Sequence, residues 1–245
     1  MPDPCQTTPG PPRPDCAEGG QPDHTQIAAL DWRDGVIPVS TRFDDPYFSI
    51  ANGLGETRHV FLNGNGLPAR FRPGFHIAEL GFGTGLNMLA ALLAWRDAAI
   101  PGPLRFTSFE AYPLPARDIA RALRAFPEAE AIAAPFLAQW AEGRTALVFD
   151  GMEAGIIIGD ARTTLPAWPH KADAWFLDGF SPARNPELWS DTLMHSVAAH
   201  TLPQGTFATY TAAGHVRRAL QAAGFQVERR KGHGSKRHMS AGWIA

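Results

Sequence analysis

The stretch Glu79-Leu80-Gly81-Phe82-Gly83-Thr84-Gly85-Leu86-Asn87 sets three glycines at alternate positions behind an acid. It follows an apolar run and precedes a segment of helical spacing, so it reads as a strand–loop–helix turn. Glycines there let a ligand approach the backbone, and the helix start offers unpaired N–H groups. The spacing is GxGxG, with Leu86 standing where the dinucleotide fingerprint GxGxxG needs its last glycine. The acid Glu79 would repel a pyrophosphate and suits a ligand with a cationic amino or sulfonium group.

Two further acids fall where such a ligand needs them. Glu110 closes the next strand, 25 residues after Gly85, where a carboxylate accepts ribose hydroxyls. Asp160 closes a third strand in Ile157-Ile158-Gly159-Asp160-Ala161-Arg162 and is placed to bond an adenine amino group. Singly these are ordinary strand-end acids; at successive strand ends of one βα series they mark one crevice. Asp178 ends a fourth strand, following the apolar run Ala174-Trp175-Phe176-Leu177, and emerges at the same rim. A short polar group there can hold the N–H of a nucleophile, and a neighbouring aromatic can wall off water. The blander account of Asp178 is a cap for the loop that follows.

The elements that position these residues come from hydrophobic periodicity. Ile27–Trp32 and Val36–Ser40 flank Asp34-Gly35, a hairpin signal because both turn residues tolerate positive φ. A polar–aromatic loop, Arg42 to Ser49, leads to a helix expected from about Asn52 to Leu62. Strands are expected at His76–Leu80, Leu104–Glu110, Ile156–Gly159, Ala172–Leu177, Gly205–Tyr210, Phe225–Arg230 and Met239–Ile244. Helices are expected along Leu86–Leu93, at Pro115–Phe126, Pro186–His200 and Ala213–Ala223, the last stopped by Gly224. Alternating βα units imply an α/β, doubly wound, mostly parallel seven-stranded sheet with ligand sites beyond the strands' carboxyl ends. The last two strands, joined without a long helix, predict an antiparallel edge hairpin. The organisation read is a Pro-rich disordered tail over 1–25, an N-terminal β-hairpin/helix appendage over 26–70, and the core over 71–245.

Composition excludes several classes. The 245 residues are 44% hydrophobic and 19% charged, which is incompatible with global disorder or a collagen-like repeat. The two cysteines, Cys5 and Cys16, have no CxxC spacing and no histidine pair shows a zinc-like pattern, so no metal and a reducing, cytoplasmic setting are expected. The uncharged run Leu80–Trp95 is too short for a bilayer and carries three glycines. The net charge of −2 hides an asymmetry: residues 214–245 hold seven Lys/Arg against the single acid Glu228, a net +6 that leaves −8 for the rest.

Taken together, the motifs resemble the methyltransferase domain of the tRNA 5-methylaminomethyl-2-thiouridine biosynthesis proteins, the MnmC/MnmD type of class I S-adenosylmethionine-dependent methyltransferase. The match rests on Phe43-Asp44-Asp45-Pro46-Tyr47-Phe48-Ser49, Glu56-Thr57-Arg58-His59-Val60-Phe61-Leu62, the glycine loop and Phe109-Glu110. It continues through Asp173 to Phe180, Asn185-Pro186 and Gly232-His233-Gly234-Ser235-Lys236-Arg237, in collinear order over 31–240. The resemblance implies a Rossmann-like fold and S-adenosyl-L-methionine held by Glu79, Gly81, Phe82, Gly83, Gly85, Asn87, Glu110, Asp160 and Asp178. It also implies methyl transfer to the aminomethyl nitrogen of a tRNA wobble uridine, with Asp178 as the catalytic residue. Tyr47, Phe48 and Phe180 would sandwich the extruded base, although core packing accounts equally well for Phe48 and Phe180.

Arg217, Arg218, Lys231, Lys236 and Arg237 are the expected phosphate contacts, since the basic run lies beside the crevice. In bifunctional members an FAD-dependent oxidase begins where this chain ends at Ala245, so the chain is either a stand-alone, monomeric methyltransferase or part of a longer protein; no FAD is expected in it. A small-molecule amine methyltransferase on the same fold is the alternative function, and a non-catalytic cofactor- or RNA-binding module is a third. The missing GxGxxG glycine disfavours a dehydrogenase, and the motif around Gly81 disfavours aminopropyl transfer.

Overall fold

The computed structural model describes residues 27–48 and 52–245. The tail expected over 1–25, with Cys5 and Cys16, and the loop residue Ser49 lie outside the described residues. The chain opens on a hairpin of β1 (Leu30–Arg33) and β2 (Ile37–Ser40), in register from Leu30 against Ser40 to Arg33 against Ile37. Its turn sets Asp34 at φ 51° and Gly35 at φ 75°, as the Asp-Gly pair requires. A two-residue strand, β3 (Asp45–Pro46), pairs with β2 and completes a small antiparallel sheet.

Helix α1 (Gly53–Thr57) begins on an Asn52 side-chain cap to the Gly55 N–H at 2.8 Å. It then widens into a π-helical turn over Arg58–Leu62 and a tight turn over Asn63–Asn65, where one regular helix was expected. The wide turn lets Glu56 and Thr57 face the cleft described below while Val60, Phe61 and Leu62 sink into the core. Asn65, 1% exposed, straps this segment to the main sheet. Its Nδ2 donates to the carbonyls of Phe61 and Trp175, and its Oδ1 accepts from the Thr206 hydroxyl.

The core alternates β4 (His76–Leu80), α2 (Leu86–Asp97), β5 (Leu104–Glu110), α3 (Ala116–Leu123), α4 (Pro127–Glu130) and α5 (Ala134–Ala141). It continues with β6 (Ala146–Phe149), β7 (Met152–Ile158), α6 (Ala161–Thr164), β8 (Ala172–Leu177), α7 (Asp191–Ala199), β9 (Thr201–Thr209), α8 (Gly214–Ala222), β10 (Gln226–Lys231) and β11 (His238–Trp243). The sheet order is β10-β11-β9-β8-β4-β5-β7-β6, eight strands where seven were expected. The extra strand is β6, antiparallel to β7, and β7 itself starts at Met152 instead of Ile156. Its four residues, Ala146-Leu147-Val148-Phe149, are apolar but too few to show a period; Leu147 is buried while Ala146 and Val148 are exposed, and the Gln139 side chain caps the open edge at both Val148 backbone groups. The long helix expected over Pro186–His200 splits into a short 3₁₀ turn, Pro186–Trp189, and α7. The edge hairpin β10–β11 is antiparallel, as read from sequence.

Apolar side chains pack on both faces of the sheet. One face carries α2, α3, α5 and the N-terminal segment through Phe61, Trp95, Ile119 and Phe136; the other carries α7 and α8 through Trp175, Leu193, Val216 and Leu220. The chain runs from central β4 outward to β5 and β7, then returns to β8 on the other side, so the switch point lies between β4 and β8. Among the described residues, no helix is long and apolar enough to cross a membrane.

Candidate active site

A cleft of about 920 Å³ opens over the carboxyl ends of β4, β5, β7 and β8. The glycine loop forms its floor. Gly81 has φ 81°, and a Cβ there would stand 3.1 Å from Gly179 Cα and 3.2 Å from Gly179 N, so two strand-end loops approach backbone to backbone. Gly83 has φ 53° and lies against the Tyr47 ring. Gly81→Ala therefore adds a methyl group where only backbone can yield, in a conformation alanine rarely adopts. The expected outcome is a loss of about 2–4 kcal/mol of stability, read as a lower urea midpoint, together with loss of ligand binding in the cleft.

The four acids lie side by side because their strands do. Glu110 is the last residue of β5; its Oε2 accepts from the Gly83 N–H at 2.9 Å and its Oε1 from the Tyr112 N–H at 2.7 Å. Burial raises its pKa, and these backbone donors oppose that shift. Asp160 caps α6 through the Arg162 N–H and also holds the Arg162 guanidinium, which keeps its carboxyl below the usual range. It lines the cleft with that ion pair already made.

Asp178, just beyond β8, is half-buried and lines the cleft. Its Oδ1 accepts from the Gly179 N–H and its Oδ2 from Asn87 Nδ2, both at 2.8 Å. Burial raises its pKa to about 6, against the lowering effect of those bonds and of the nearby Lys236 charge. Asn87 spends every polar atom: Nδ2 also donates to Glu79 Oε1 at 2.9 Å, and Oδ1 accepts from the Thr57 hydroxyl at 2.8 Å. Glu79 is fully buried beneath the cleft, its other oxygen taken by Ser108 at 2.6 Å, and burial lifts its pKa well above the carboxylate range. The residue read as a direct ligand contact thus works one layer down, fixing Asn87, which in turn aims Asp178.

Aromatic rings close one side. Phe180 stacks on Phe43 with centroids 4.7 Å apart and meets Tyr47 edge-on at 5.0 Å. Phe43 also meets Tyr112, over which the Arg42 guanidinium lies at 4.7 Å. Phe48 lines the cleft but packs edge-on against Phe126 at 4.8 Å, so core packing occupies much of its ring. Phe43, Tyr112, Thr57 and Tyr210 were not singled out as site residues from sequence, although Phe43 and Thr57 stand inside motifs that were.

A family model described as S-adenosyl-L-methionine-dependent methyltransferase matches residues 127–245. The tRNA 5-methylaminomethyl-2-thiouridine biosynthesis bifunctional protein MnmC of Aeromonas hydrophila is 47% identical over 232 residues, spanning 88% of this chain and 35% of that protein. The C-terminal half of this chain is thus similar to the S-adenosyl-L-methionine-dependent methyltransferase family. The like-named protein of Chromobacterium violaceum is 46% identical over 229 residues, spanning 89% of this chain and 34% of its own length. The chain thus spans about a third of the length of the curated relatives it matches. Among solved structures, MnmC2 from Aquifex aeolicus superposes with a TM-score of 0.69 at 22% identity, over 90% of this chain and 72% of that one. Spermidine synthase from Thermotoga maritima shares the fold at a TM-score of 0.54 and 13% identity, over 92% and 70%.

The chain's basic C-terminal region divides in two. Lys231 and Arg237 are exposed at the β10–β11 turn, which projects beyond the same sheet end as the cleft. Arg218 is exposed midway along α8, whereas Arg217 is half-buried with its Nε enclosed and unpartnered among the described residues. Lys236, expected to face phosphate, turns into the cleft instead and pairs with Glu56 at 2.6 Å. Among the described residues no His/Cys/Asp/Glu cluster suited to a metal occurs.

Proposed function

We propose that this chain transfers a methyl group from S-adenosyl-L-methionine to the aminomethyl nitrogen of 5-aminomethyl-2-thiouridine at a tRNA wobble position, giving 5-methylaminomethyl-2-thiouridine. The observation that carries the reading is the 46–47% identity, over nearly nine-tenths of this chain, to proteins named for that product. An aimed carboxylate at the mouth of an aromatic-walled cleft supports it. A free small-molecule amine would have no use for the exposed cations beside the rim.

The cleft fits S-adenosyl-L-methionine on its own terms. Its volume of about 920 Å³ suits a nucleoside-sized ligand, and its lining acids suit a cation. Glu110 holds one backbone N–H on each oxygen and keeps a lone pair on each for ribose hydroxyls. The loop Gly81, Phe82, Gly83 and Gly85 would border the ligand, and Asp160 would serve the adenine amino group with whatever acceptor capacity Arg162 leaves. When bound, S-adenosyl-L-methionine supplies an electrophilic methyl group on a sulfonium centre.

The chain's own residues then solve an orientation problem. An alkyl amine is mostly protonated at neutral pH and must present a lone pair. Asp178 accepts one amine N–H and turns the lone pair toward the cofactor side, its own direction fixed by Asn87 and Gly179. With a pKa of about 6 it is too weak a base to strip an ammonium, so the amine arrives neutral and the proton shed by the methylated nitrogen leaves to water. Phe180, stacked on Phe43, and Tyr47 offer ring faces and edges to the extruded base and exclude solvent.

The deciding measurement is methyl transfer to tRNA from cells lacking this modification, with nucleoside analysis of the wobble position. Methylated product on tRNA and none on free nucleoside supports the reading; turnover of free amines alone overturns it. Phosphate contacts also predict salt-dependent tRNA binding, with a log–log slope that drops by about 0.7–0.9 for each contact removed. Lys231→Ala and Arg237→Ala should each flatten that slope, whereas Arg33→Ala, on the remote hairpin β1–β2, should leave it unchanged.

A further inference from the structure

The cleft contains one ion pair that methyl transfer, as derived above, leaves unused. Glu56 ends its buried stem at the cleft with a side chain 11% exposed, and Lys236 reaches it from the β10–β11 turn, Nζ to Oε1 at 2.6 Å. A pair that merely tied the hairpin to α1 would need no access to the cleft, yet both residues line it. Nζ also lies 4.3 Å from the centroid of the Tyr210 ring. The Tyr210 hydroxyl donates to the Gly179 carbonyl at 2.9 Å, and the Gly179 N–H donates to Asp178. A continuous chain of contacts therefore runs from Asp178 through Gly179 and Tyr210 to Lys236, and then to Glu56.

The hydrogen-bonding capacity of the pair is not exhausted. An ammonium has three donors; one serves Glu56 and one side faces the Tyr210 ring, which leaves a donor for the cleft. Among the described residues Glu56 uses only Oε1, so Oε2 remains an acceptor. Along that chain of contacts, the order met from Asp178 is a donor and then an acceptor. A uracil substituted at C5 presents, in the same order from its C5 arm, the O4 acceptor and then the N3–H donor.

We infer, on the basis of the proposed reaction, that Lys236 donates to O4 and Glu56 accepts from N3–H of the target pyrimidine when its C5 arm lies at Asp178. The pair is then the element that reads the base as a uracil. Cytosine reverses both groups, setting an amino group against the ammonium and a bare N3 against the carboxylate, so the same two residues reject it. Lys236 is accordingly a base contact, not a phosphate contact.

The test uses the full chain and two tRNAs that carry the same aminomethyl wobble uridine and differ only by a methyl group on N3. The wild type should turn over the N3-methylated tRNA at least about 100-fold less efficiently in kcat/KM, because a site built to pair a polar edge rejects its blocked analogue strongly. Glu56→Ala should bring the two tRNAs within about threefold of each other. Lys236→Met should lower kcat/KM on the N3–H tRNA about 10-fold or more, with the calorimetric Kd for S-adenosyl-L-methionine unchanged as proof of an intact fold. Equal turnover of both tRNAs by the wild type, or full discrimination persisting in Glu56→Ala, overturns the inference and leaves the proposed reaction standing. Absence of transfer to either tRNA overturns the proposed reaction, and the inference with it.

Discussion

Asp178→Asn should lower kcat for methyl transfer by about 10²- to 10³-fold and erase the break near pH 6 in the pH dependence of kcat/KM. The size follows from what the carboxylate does twice over. It offers separate oxygens to the Gly179 N–H and to Asn87 Nδ2, and it accepts from the incoming amine. An asparagine has only one acceptor oxygen, so its amide N–H₂ faces either Gly179 or Asn87, and that partner is displaced. Because Asn87 is also held by Glu79 and Thr57, the displacement carries into the buried network.

The pH signature separates this role from a merely structural one. The raised pKa comes from burial, so below about pH 6 Asp178 is neutral, one of its oxygens becomes an O–H donor, and it no longer offers the amine a charged acceptor. The substrate amine independently needs to lose its proton, with a pKa near that of a lysine, about 10. The wild type should therefore gain about 100-fold in kcat/KM per pH unit below pH 6 and about tenfold per unit above it. Asp178→Asn should show the tenfold slope throughout. A variant that keeps the break would assign that ionisation to another group and remove Asp178 from the reaction.

Much of this site is legible in the sequence because it hangs on strand ends. A run such as Ala172–Leu177 is buried at every position, so its end is sharp, and the polar residue that follows has to emerge at the rim. The same logic places Glu110 and Asp160, and parallel pairing of β8, β4, β5 and β7 then brings them together. What the sequence hides is depth and direction. Glu79 lies one residue inside β4 instead of beyond it, so it points into the sheet's own layer and meets Ser108 from β5. Nothing local distinguishes that from an acid at the rim. Lys236 stands in a basic run beside Lys231 and Arg237, which are exposed; only the return of the hairpin beside α1, 180 residues away in sequence, brings it to Glu56. Strand β6 escapes for a different reason. Its four residues, Ala146 to Phe149, are all apolar and so show no alternation, and pairing with β7 and the Gln139 amide, which hold this edge, leave no periodic mark.

Glu110→Gln should raise the Kd for S-adenosyl-L-methionine about 100-fold while leaving the global fold intact. The carboxylate joins two parts of the site: one oxygen holds the glycine loop at Gly83, the other the turn after β5 at Tyr112. Glutamine has the same shape, but one of those N–H groups then meets an amide N–H₂, and the loop that borders the cofactor is pushed away. Two hydrogen bonds to ribose hydroxyls also lose the charge of their acceptor, at about 1–2 kcal/mol each. Together these terms reach about 3 kcal/mol, or two orders of magnitude in affinity. Because burial already makes ionised Glu110 unfavourable, the free protein gains on losing that charge, so the thermal midpoint without ligand should hold or rise. Calorimetry gives the affinity and a melting curve gives the midpoint. An affinity within about threefold of wild type would show that the cofactor's ribose lies elsewhere in the cleft, whereas a lowered midpoint would show that Glu110 serves the fold first and the ligand second.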